Sequence, residues 1–251
     1  MAKKLPVFLD GPDKQTIGVS IIFSALCFFS LPFLLLLWTG GYWDNMVAIS
    51  WFEVVFHVIT FLITLGLFRE FLQEGWDAVR FGRQEVLHYV KIAAGINLGI
   101  VLTYYLIHTF FPNVLTYVFA FGTLPVSEMN LFMLPSESVL YNPFFCTPVL
   151  VLLVPVTTSC LYYAVGFIHT QNVRPWLGYL VVAVVIALPR VANAMTYWAP
   201  ADQCLIYLAQ LPVHLVACWS LRKTNTIWAP IFVHMASNLL ASLLLIFTYL
   251  L

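Results

Sequence analysis

Long apolar runs alternate with short polar stretches along most of this chain. The long runs cover residues of about 20–40, 48–69, 91–111, 146–168, 176–198, 204–221 and 226–249, and a shorter one covers about 114–122. A run of about 20 apolar residues can cross the hydrocarbon core of a bilayer as a helix. The pattern therefore predicts an all-α polytopic membrane helix bundle of about seven transmembrane helices, with one re-entrant or interfacial segment at 114–122.

The charged segment of residues 69–91 interrupts this pattern. Apolar residues alternate there with acids and bases, as in a helix that lies on a membrane surface; they are Phe71, Leu72, Trp76, Val79 and Phe81. Glu70 and Glu74 lie one helical turn apart, as a catalytic carboxylate pair could. Helix-spaced charges are typical of a solvated face, so we interpret both as surface residues and predict an interfacial helix at the inner leaflet.

Composition supports a membrane protein and excludes most soluble classes. Hydrophobic residues make up 62% of the chain and charged residues only 9%, which is far outside the range of soluble domains. The lipid bilayer is the predicted environment, and we expect no nucleic-acid partner. The five cysteines are unclustered, so we interpret them as small hydrophobic residues and expect neither a disulfide set, nor a metal site, nor another cofactor.

The basic residues predict how the helices cross the membrane. With seven spans, the N-terminal lysines, the bases of 69–91, Arg174 and the Arg222–Lys223 pair all fall on one side. Bases concentrate on the cytoplasmic side, which places the N-terminus in the cytoplasm and the C-terminus outside the cell membrane. If 114–122 were a full span, Arg174, Arg222 and Lys223 would lie on the opposite side of the membrane. We find no signal-peptide cleavage site after the first apolar run, so it is predicted to be an anchor.

Several polar residues lie inside predicted spans, where each needs a partner or a function. The stretch "TIWAPIFVHMASNLL" holds His234 and Asn238, which could simply form interhelical hydrogen bonds. Thr157, Thr158 and Ser159 could bond to carbonyls one turn back. A nucleophile at Ser159 or Cys160, with His234 as its base, is an alternative. The remaining mid-chain histidines lack metal-ligand spacing and are interpreted as core or interfacial residues: His57, His108 and His214.

Arg190 and Glu53 are the other charged residues in the spans. Arg190 is the only base in the middle of an apolar run, and Pro189 before it could free a carbonyl for it. Arg190 and Glu53 lie at similar depths in their helices. We therefore predict that they form an ion pair, which would join the N-terminal helices to the later ones. The alternatives are that Arg190 bonds to carbonyls or to Asn238, or that Glu53 extends outward unpaired.

The stretch from Leu208 to Asn238, "LAQLPVHLVACWSLRKTNTIWAPIFVHMASN", resembles the C-terminal motif region of the CAAX protease and bacteriocin-processing (CPBP/Abi) family of membrane proteins. In that family a short basic turn precedes a Trp-x-Pro-Ile-like start and a His-x-x-x-Asn pair. The residues that match in type and spacing are Trp228, Pro230, Ile231, His234 and Asn238.

Two other family motifs are altered in this chain. The family's Glu-Glu-x-x-x-Arg aligns with "VPVTTSCLYYAVG", where Thr158 and Ser159 replace the glutamates and Tyr163 replaces the arginine. Its Phe-x-x-x-His aligns with "IALPR", where Ile186 and Arg190 stand instead. In the family the glutamates are thought to activate the hydrolytic water, and no Asp or Glu occurs between Glu137 and Asp202 to replace them.

The altered motifs predict a protease-like fold without its catalytic centre. The resemblance implies residues 1–145 as N-terminal transmembrane helices and residues 146–251 as a four-helix family core. The leading hypothesis is a bacterial pseudoenzyme that binds, scaffolds or regulates a partner envelope protein, such as a cell-wall enzyme or a sensor kinase. An active peptidase with a variant site and a lipid or isoprenoid binder are the alternatives. The residues of the vestigial or variant site are Thr158, Ser159, Tyr163, Arg190, His234 and Asn238.

Overall fold

The computed structural model describes residues 11–40, 46–110, 141–197 and 200–250, and this part of the chain forms helices without strands. Residues 143–173 form one continuous run of helix, α5, in which α-helical and π-helical segments alternate. The other helices are α1 (Lys14–Thr39), α2 (Met46–Leu67), α3 (Arg69–Phe81), α4 (Arg83–Phe110), α6 (Pro175–Tyr197), α7 (Pro200–Thr224) and α8 (Trp228–Leu250).

A helix occupies each of the seven long apolar runs, which confirms the all-α membrane bundle. Within the described residues, three helical stretches are long and apolar enough to cross a membrane: Val47–Leu67, Arg83–Thr103 and Pro143–Gln171. Shorter apolar stretches occur at Lys14–Leu26, Trp176–Ala187 and Trp228–Leu244. The predicted re-entrant segment at 114–122 lies outside the described residues.

The charged segment forms parts of two helices. α3 ends at Phe81, and the Gly82 N–H closes its last turn on the Ala78 carbonyl. α4 then begins at Arg83, eight residues before the predicted apolar run, because helical hydrogen bonding continues through the polar residues that precede it. The buried members of α3 are Phe71, Leu72, Gly75 and Val79. Phe81 is 92% exposed and lies outside this packed face, although its hydrophobicity had suggested otherwise.

Local sequence explains several helix ends. Asp13 caps α1 by accepting the Thr16 N–H and hydroxyl, at 2.8 and 2.9 Å, and these hydrogen bonds lower the pKa of its carboxyl group. Arg174 is extended, as a residue before proline prefers, so α5 ends there and Pro175 begins α6. Asn225 adopts a positive φ of 54° after α7. Asparagine tolerates this left-handed conformation, which lets α8 turn back along α7.

Contacts between helices give their relative directions. Tyr89 and Asn97 of α4 meet Trp219 and Val213 of α7, respectively, so these two helices are antiparallel. Leu150 and Tyr163 of α5 meet Asn238 and His234 of α8, so this pair is antiparallel as well. Because α7 and α8 form a helical hairpin, α4 and α8 run in the same direction. The C-terminus of α4 and the N-terminus of α5 therefore lie at one end of the bundle, which we call the far end, and α3 lies at the other, the α3 end.

The hydrophobic core is continuous between the earlier and the later helices. One buried cluster joins Phe68, Phe71 and Leu72 to residues of α5, α6, α7 and α8 around Tyr163. A second cluster, nearer the far end, joins Val54 and Val101 to α5 and α7. The division at residue 145 stays a prediction, and the core is shared across it.

Candidate functional site

The first π-helical segment of α5 leaves a backbone carbonyl free for a side chain of α8. In Val149–Leu153, the N–H of Val154 bonds to the carbonyl of Val149, five residues back. The same register would pair the Leu150 carbonyl with residue 155, which is a proline and has no N–H. The Asn238 amide donates to this carbonyl instead, at 2.8 Å. Asn238 is therefore an interhelical hydrogen-bonding residue.

The second π-helical segment, Ser159–Phe167, carries the centre of the candidate site. Here the N–H of Ile168 bonds to the carbonyl of Tyr163, again five residues back. Such wide turns are rare in proteins, and many of those that occur lie at functional sites. Tyr163 is fully buried and points between α7 and α8.

The Tyr163 hydroxyl joins two histidines from different helices. Its oxygen lies 2.5 Å from Nδ1 of His214 on α7 and 2.9 Å from Nε2 of His234 on α8. The two imidazole rings are perpendicular, with centroids 5.3 Å apart. His214 is 2% exposed and His234 is 0% exposed. We call these three residues the Tyr–His–His chain.

The chemistry of a phenol limits what this chain can do. A tyrosine has one hydroxyl hydrogen, so it donates to one imidazole and accepts an N–H from the other. Each ring nitrogen that faces the hydroxyl is therefore engaged, one as an acceptor and one as a donor. Such a bonded nitrogen can act as a general base on another group only after the tyrosine contact is broken.

The polar residues of the "VTTSC" segment differ in their surroundings. The Thr157 hydroxyl bonds to the Leu153 carbonyl one turn back, at 3.3 Å, as predicted. The Ser159 hydroxyl is buried and has no hydrogen-bond partner among the described residues, so the prediction that it bonds to a carbonyl one turn back is wrong. Thr158 is partly buried, and Cys160 is fully buried in the core cluster. The segment therefore brings one unpartnered hydroxyl, that of Ser159, within one turn of Tyr163.

The predicted pair of Arg190 and Glu53 stays a prediction. The side chain of Arg190 lies outside the described residues, although α6 continues through this position. Glu53 of α2 is buried at 8% exposure. The alternative in which the Glu53 carboxyl group extends toward the outer membrane surface also stays a prediction.

Within the Tyr–His–His chain, His214 was not predicted to be a site residue, because its position matches no family motif. The structure agrees with its interpretation as a core residue but adds its bond to Tyr163. The sequence of the α7–α8 hairpin did contain a signal for this site. At about 1.5 Å per residue, His214 and His234 lie roughly 16 Å and 14 Å from the turn at Asn225. Two histidines at matching depth in neighbouring helices indicate a shared site.

The Tyr–His–His chain does not form a metal centre by itself. Among the described residues, no group of three or more His, Cys, Asp or Glu side chains could hold a metal ion. His214 and His234 instead have the tyrosine hydroxyl between them.

Residues 141–240 match the family model described as type II CAAX prenyl endopeptidase Rce1-like. This region is similar to that family, and we call residues 141–240 the Rce1-like region. It contains all three members of the Tyr–His–His chain as well as Thr158, Ser159, Arg190 and Asn238. No curated protein and no solved structure gave a significant match.

The chain therefore has the apolar helices of a membrane protein and a region similar to CAAX prenyl endopeptidases. The matched region begins just before α5 and ends within α8. Helices α1 to α4, including Glu53, lie outside it.

Proposed function

We propose that this CAAX-protease-like protein is catalytically inactive and binds, positions or regulates a partner protein of the cell envelope, such as a cell-wall enzyme or a sensor kinase. The observation that carries this proposal is the Tyr–His–His chain. A retained histidine of the Rce1-like region, His234, is bonded to a tyrosine at the position that the family resemblance assigns to arginine. Its geometry suits a structural link between helices better than a hydrolytic centre.

The missing carboxylates support the same proposal. Peptide hydrolysis of the family type needs a base within hydrogen-bond reach of a water molecule. Thr158 and Ser159 stand at the aligned glutamate positions, and neither side chain is a base of useful strength at neutral pH. Tyr163, His214 and His234 are at most 2% exposed, so the centre is closed to a peptide in this conformation. A protein that keeps the fold and lacks the base retains the ability to bind.

A cleavage assay tests the inactivity. The purified protein should leave prenylated and leader-type peptides intact, and His234→Ala should keep the cellular role if the variant still accumulates in the membrane. Peptide cleavage by the parent that disappears in His234→Ala, at equal expression, would show that the protein is an enzyme.

An active peptidase with a variant site is the second candidate, and the buried Ser159 hydroxyl is the observation that favours it. A nucleophilic serine must be activated by a base, and His214 and His234 each have one ring nitrogen bonded to Tyr163. Ser159→Ala separates the two candidates because it removes the nucleophile and leaves the Tyr–His–His chain in place. Cleavage that is lost in Ser159→Ala supports the second candidate.

Isolation of the protein with its partner tests the binding role directly. Cross-linking in its own membrane, followed by purification and mass spectrometry, should recover a specific envelope protein. Tyr163→Phe is a useful comparison, because it removes both hydrogen bonds of the Tyr–His–His chain while the buried ring and the protein surface stay unchanged. Recovery of the same background proteins from the parent and from an unrelated membrane protein would contradict this role.

We also propose seven spans, with the α3 end in the cytoplasm. Support comes from the helix directions, since residues 111–140 connect two helix termini that both lie at the far end. It also comes from eight described bases that are exposed in or near the α3 end: Lys14, Arg69, Arg80, Arg83, Lys91, Arg174, Arg222 and Lys223. Bases favour the cytoplasmic side.

Cysteine-accessibility labelling tests this topology. Arg174→Cys and Arg222→Cys should react with an impermeant reagent only from the cytoplasmic side, and Asp202→Cys only from outside. Outside labelling of Arg174→Cys would overturn the span count and the re-entrant interpretation of 114–122.

A further inference from the structure

Helix α3 is fixed to the N-terminus of α8 by two hydrogen bonds to its backbone. The Thr226 hydroxyl donates to the Gly75 carbonyl at 2.7 Å, and the Trp228 indole N–H donates to the Leu72 carbonyl at 2.9 Å. A Cβ atom at Gly75 would lie 3.2 Å from Ile227 and 3.3 Å from Trp228. Because the helices approach so closely, α3 has one orientation about its axis. That orientation decides which of its residues face outward.

The residues of α3 separate into three neighbouring stripes at helical spacing. The first is the buried stripe of Leu72, Gly75 and Val79. Beside it lies an exposed stripe with two arginines and a tryptophan, which we call the basic stripe: Arg69, Gln73, Trp76 and Arg80. Next to that lies the exposed acidic stripe: Glu70, Glu74, Asp77 and Phe81. Arg80 of the basic stripe lies 3.8 Å from Asp77 of the acidic stripe, in an exposed ion pair at the boundary between the two. Arg69 lies on the basic side of this boundary, and Glu70 and Glu74 lie on the acidic side.

The basic stripe continues onto the outer surface of α8. Trp76 is 40% exposed, and its ring lies 5.0 Å from that of Trp228 and 6.5 Å from that of Phe232. Phe232 in turn begins an outward apolar stripe at helical spacing on α8, formed further on by Leu239, Leu243 and Phe247, each more than 40% exposed. An exposed apolar stripe on a membrane helix faces lipid acyl chains. Trp76 therefore lies where this lipid-facing surface meets the polar end of the bundle.

We propose that the basic stripe of α3 binds anionic phospholipid headgroups in the leaflet at the α3 end. Tryptophan is enriched at the level of lipid headgroups, and arginines near that level attract negatively charged lipids. The acidic stripe then faces away from the leaflet into water, which avoids repulsion from the same headgroups. The contact is made by one edge of α3, because the apolar residues Phe71, Leu72 and Val79 are already covered by protein.

This assignment differs from the usual arrangement of an amphipathic surface helix, which inserts its apolar face into the bilayer. The apolar face of α3 holds the helix to the protein, and the stripe beside it meets the lipid.

A pair of adjacent reporter positions tests the proposal in the full-length protein. An environment-sensitive fluorescent amino acid replaces Gln73 on the basic stripe or, as the matched control, Glu74 on the acidic stripe. The protein is placed in nanodiscs of phosphatidylcholine that contain a spin-labelled phosphatidylglycerol or a spin-labelled phosphatidylcholine. The reporter at position 73 should be quenched strongly and more by the anionic lipid, and the reporter at 74 only weakly.

Charge variants identify the residues responsible. An arginine near the surface is worth about a fivefold preference for anionic lipid, so Arg69→Gln with Arg80→Gln should abolish most of the preference at position 73. The control pair Glu70→Gln with Glu74→Gln should leave it unchanged or raise it. Equal quenching at 73 and 74 would overturn the proposal, and so would quenching at 73 that ignores lipid charge or survives both arginine substitutions.

Discussion

Helices α1 to α4 are joined to the Rce1-like region differently from the way that region is joined internally. Side chains donate hydrogen bonds to backbone carbonyls across this boundary: Asn97 to Val213, Thr226 to Gly75, Trp228 to Leu72 and the Cys146 thiol to Ser50. Inside the Rce1-like region, Asn238 also donates to a backbone carbonyl, that of Leu150. The Tyr–His–His chain adds a second kind of link there, because it joins three helices through side chains alone.

The difference shows which contacts leave a recognisable pattern in a sequence. Any residue supplies a backbone carbonyl, so a side chain that donates to one places little restriction on its partner. A bond between two side chains requires a suitable residue on each helix. This is consistent with a family model that matches residues 141–240 and not the earlier helices. The comparison can be tested by breaking each kind of link in turn.

The largest effect is expected at Tyr163. Tyr163→Ala removes a buried ring and both hydrogen bonds, and should lower the free energy of unfolding by about 4 kcal/mol. Tyr163→Phe keeps the ring and should lower it by about 1 to 2 kcal/mol, since interhelical hydrogen bonds in membranes are individually weak. Reversible unfolding in mixed micelles measures both. The control is Tyr89→Phe, which changes a partly exposed tyrosine against Trp219 and should have little effect. Equal stability of Tyr163→Phe and the parent would mean that the Tyr–His–His chain is not a structural link.

The second effect concerns the predicted ion pair, which would be a side-chain link between the two regions. If Arg190 contacts Glu53, Glu53→Gln leaves an unpaired arginine and should lower stability by about 2.5 kcal/mol, the scale for a charge inside a membrane. A double-mutant cycle with Arg190→Gln should reveal a coupling energy, because direct partners are not additive. Glu70→Gln on the exposed face of α3 is the control. If the stability change of the double variant equals the sum of the changes in the two single variants, the ion pair is contradicted.

The third effect is expected where α3 and α8 approach most closely. Gly75→Leu places a side chain against Ile227 and Trp228, where even a Cβ atom would meet neighbours at 3.2 and 3.3 Å. Overpacking of this kind should lower the free energy of unfolding by about 2 kcal/mol. At Gly66 nothing lies within 4 Å of an added Cβ, so Gly66→Leu is the matched control and should be tolerated. The same melting point for both variants would show that α3 is not held closely to α8.

The smallest effect tests the Thr226 hydroxyl, which donates to the Gly75 carbonyl and also accepts the Trp228 N–H at 3.3 Å. Thr226→Val keeps the shape of the side chain but removes both bonds, which should lower stability by about 1 kcal/mol. Thr103→Val is the control, because the Thr103 hydroxyl bonds only within its own helix, to the Gly99 carbonyl. A loss in Thr103→Val that equals the loss in Thr226→Val would assign the effect to the valine itself.

Much of the fold could be predicted from hydrophobic runs, since seven of them became helices at nearly the predicted bounds. The bounds failed at α4, where helix extends through charged residues that no hydropathy pattern includes. Among the site residues, His234 and Asn238 were found through spacing that repeats one turn of a helix. His214 was not, because its partner Tyr163 lies 51 residues away in the chain and on another helix.

By itself, the sequence determined that this is a helical membrane protein, which end of each helix is polar, and that the Rce1-like region lacks carboxylates between residues 137 and 202. These properties are local or additive, so counting residues along the chain is sufficient. The tertiary structure decided that Tyr163 lies between His214 and His234, that Asn238 takes the Leu150 carbonyl, and that α3 turns its apolar face to protein. Each of these depends on the rotation and depth of one helix against another. Those are set by packing of the whole bundle, and π-helical turns in α5 shift them by amounts that no ideal helix would show.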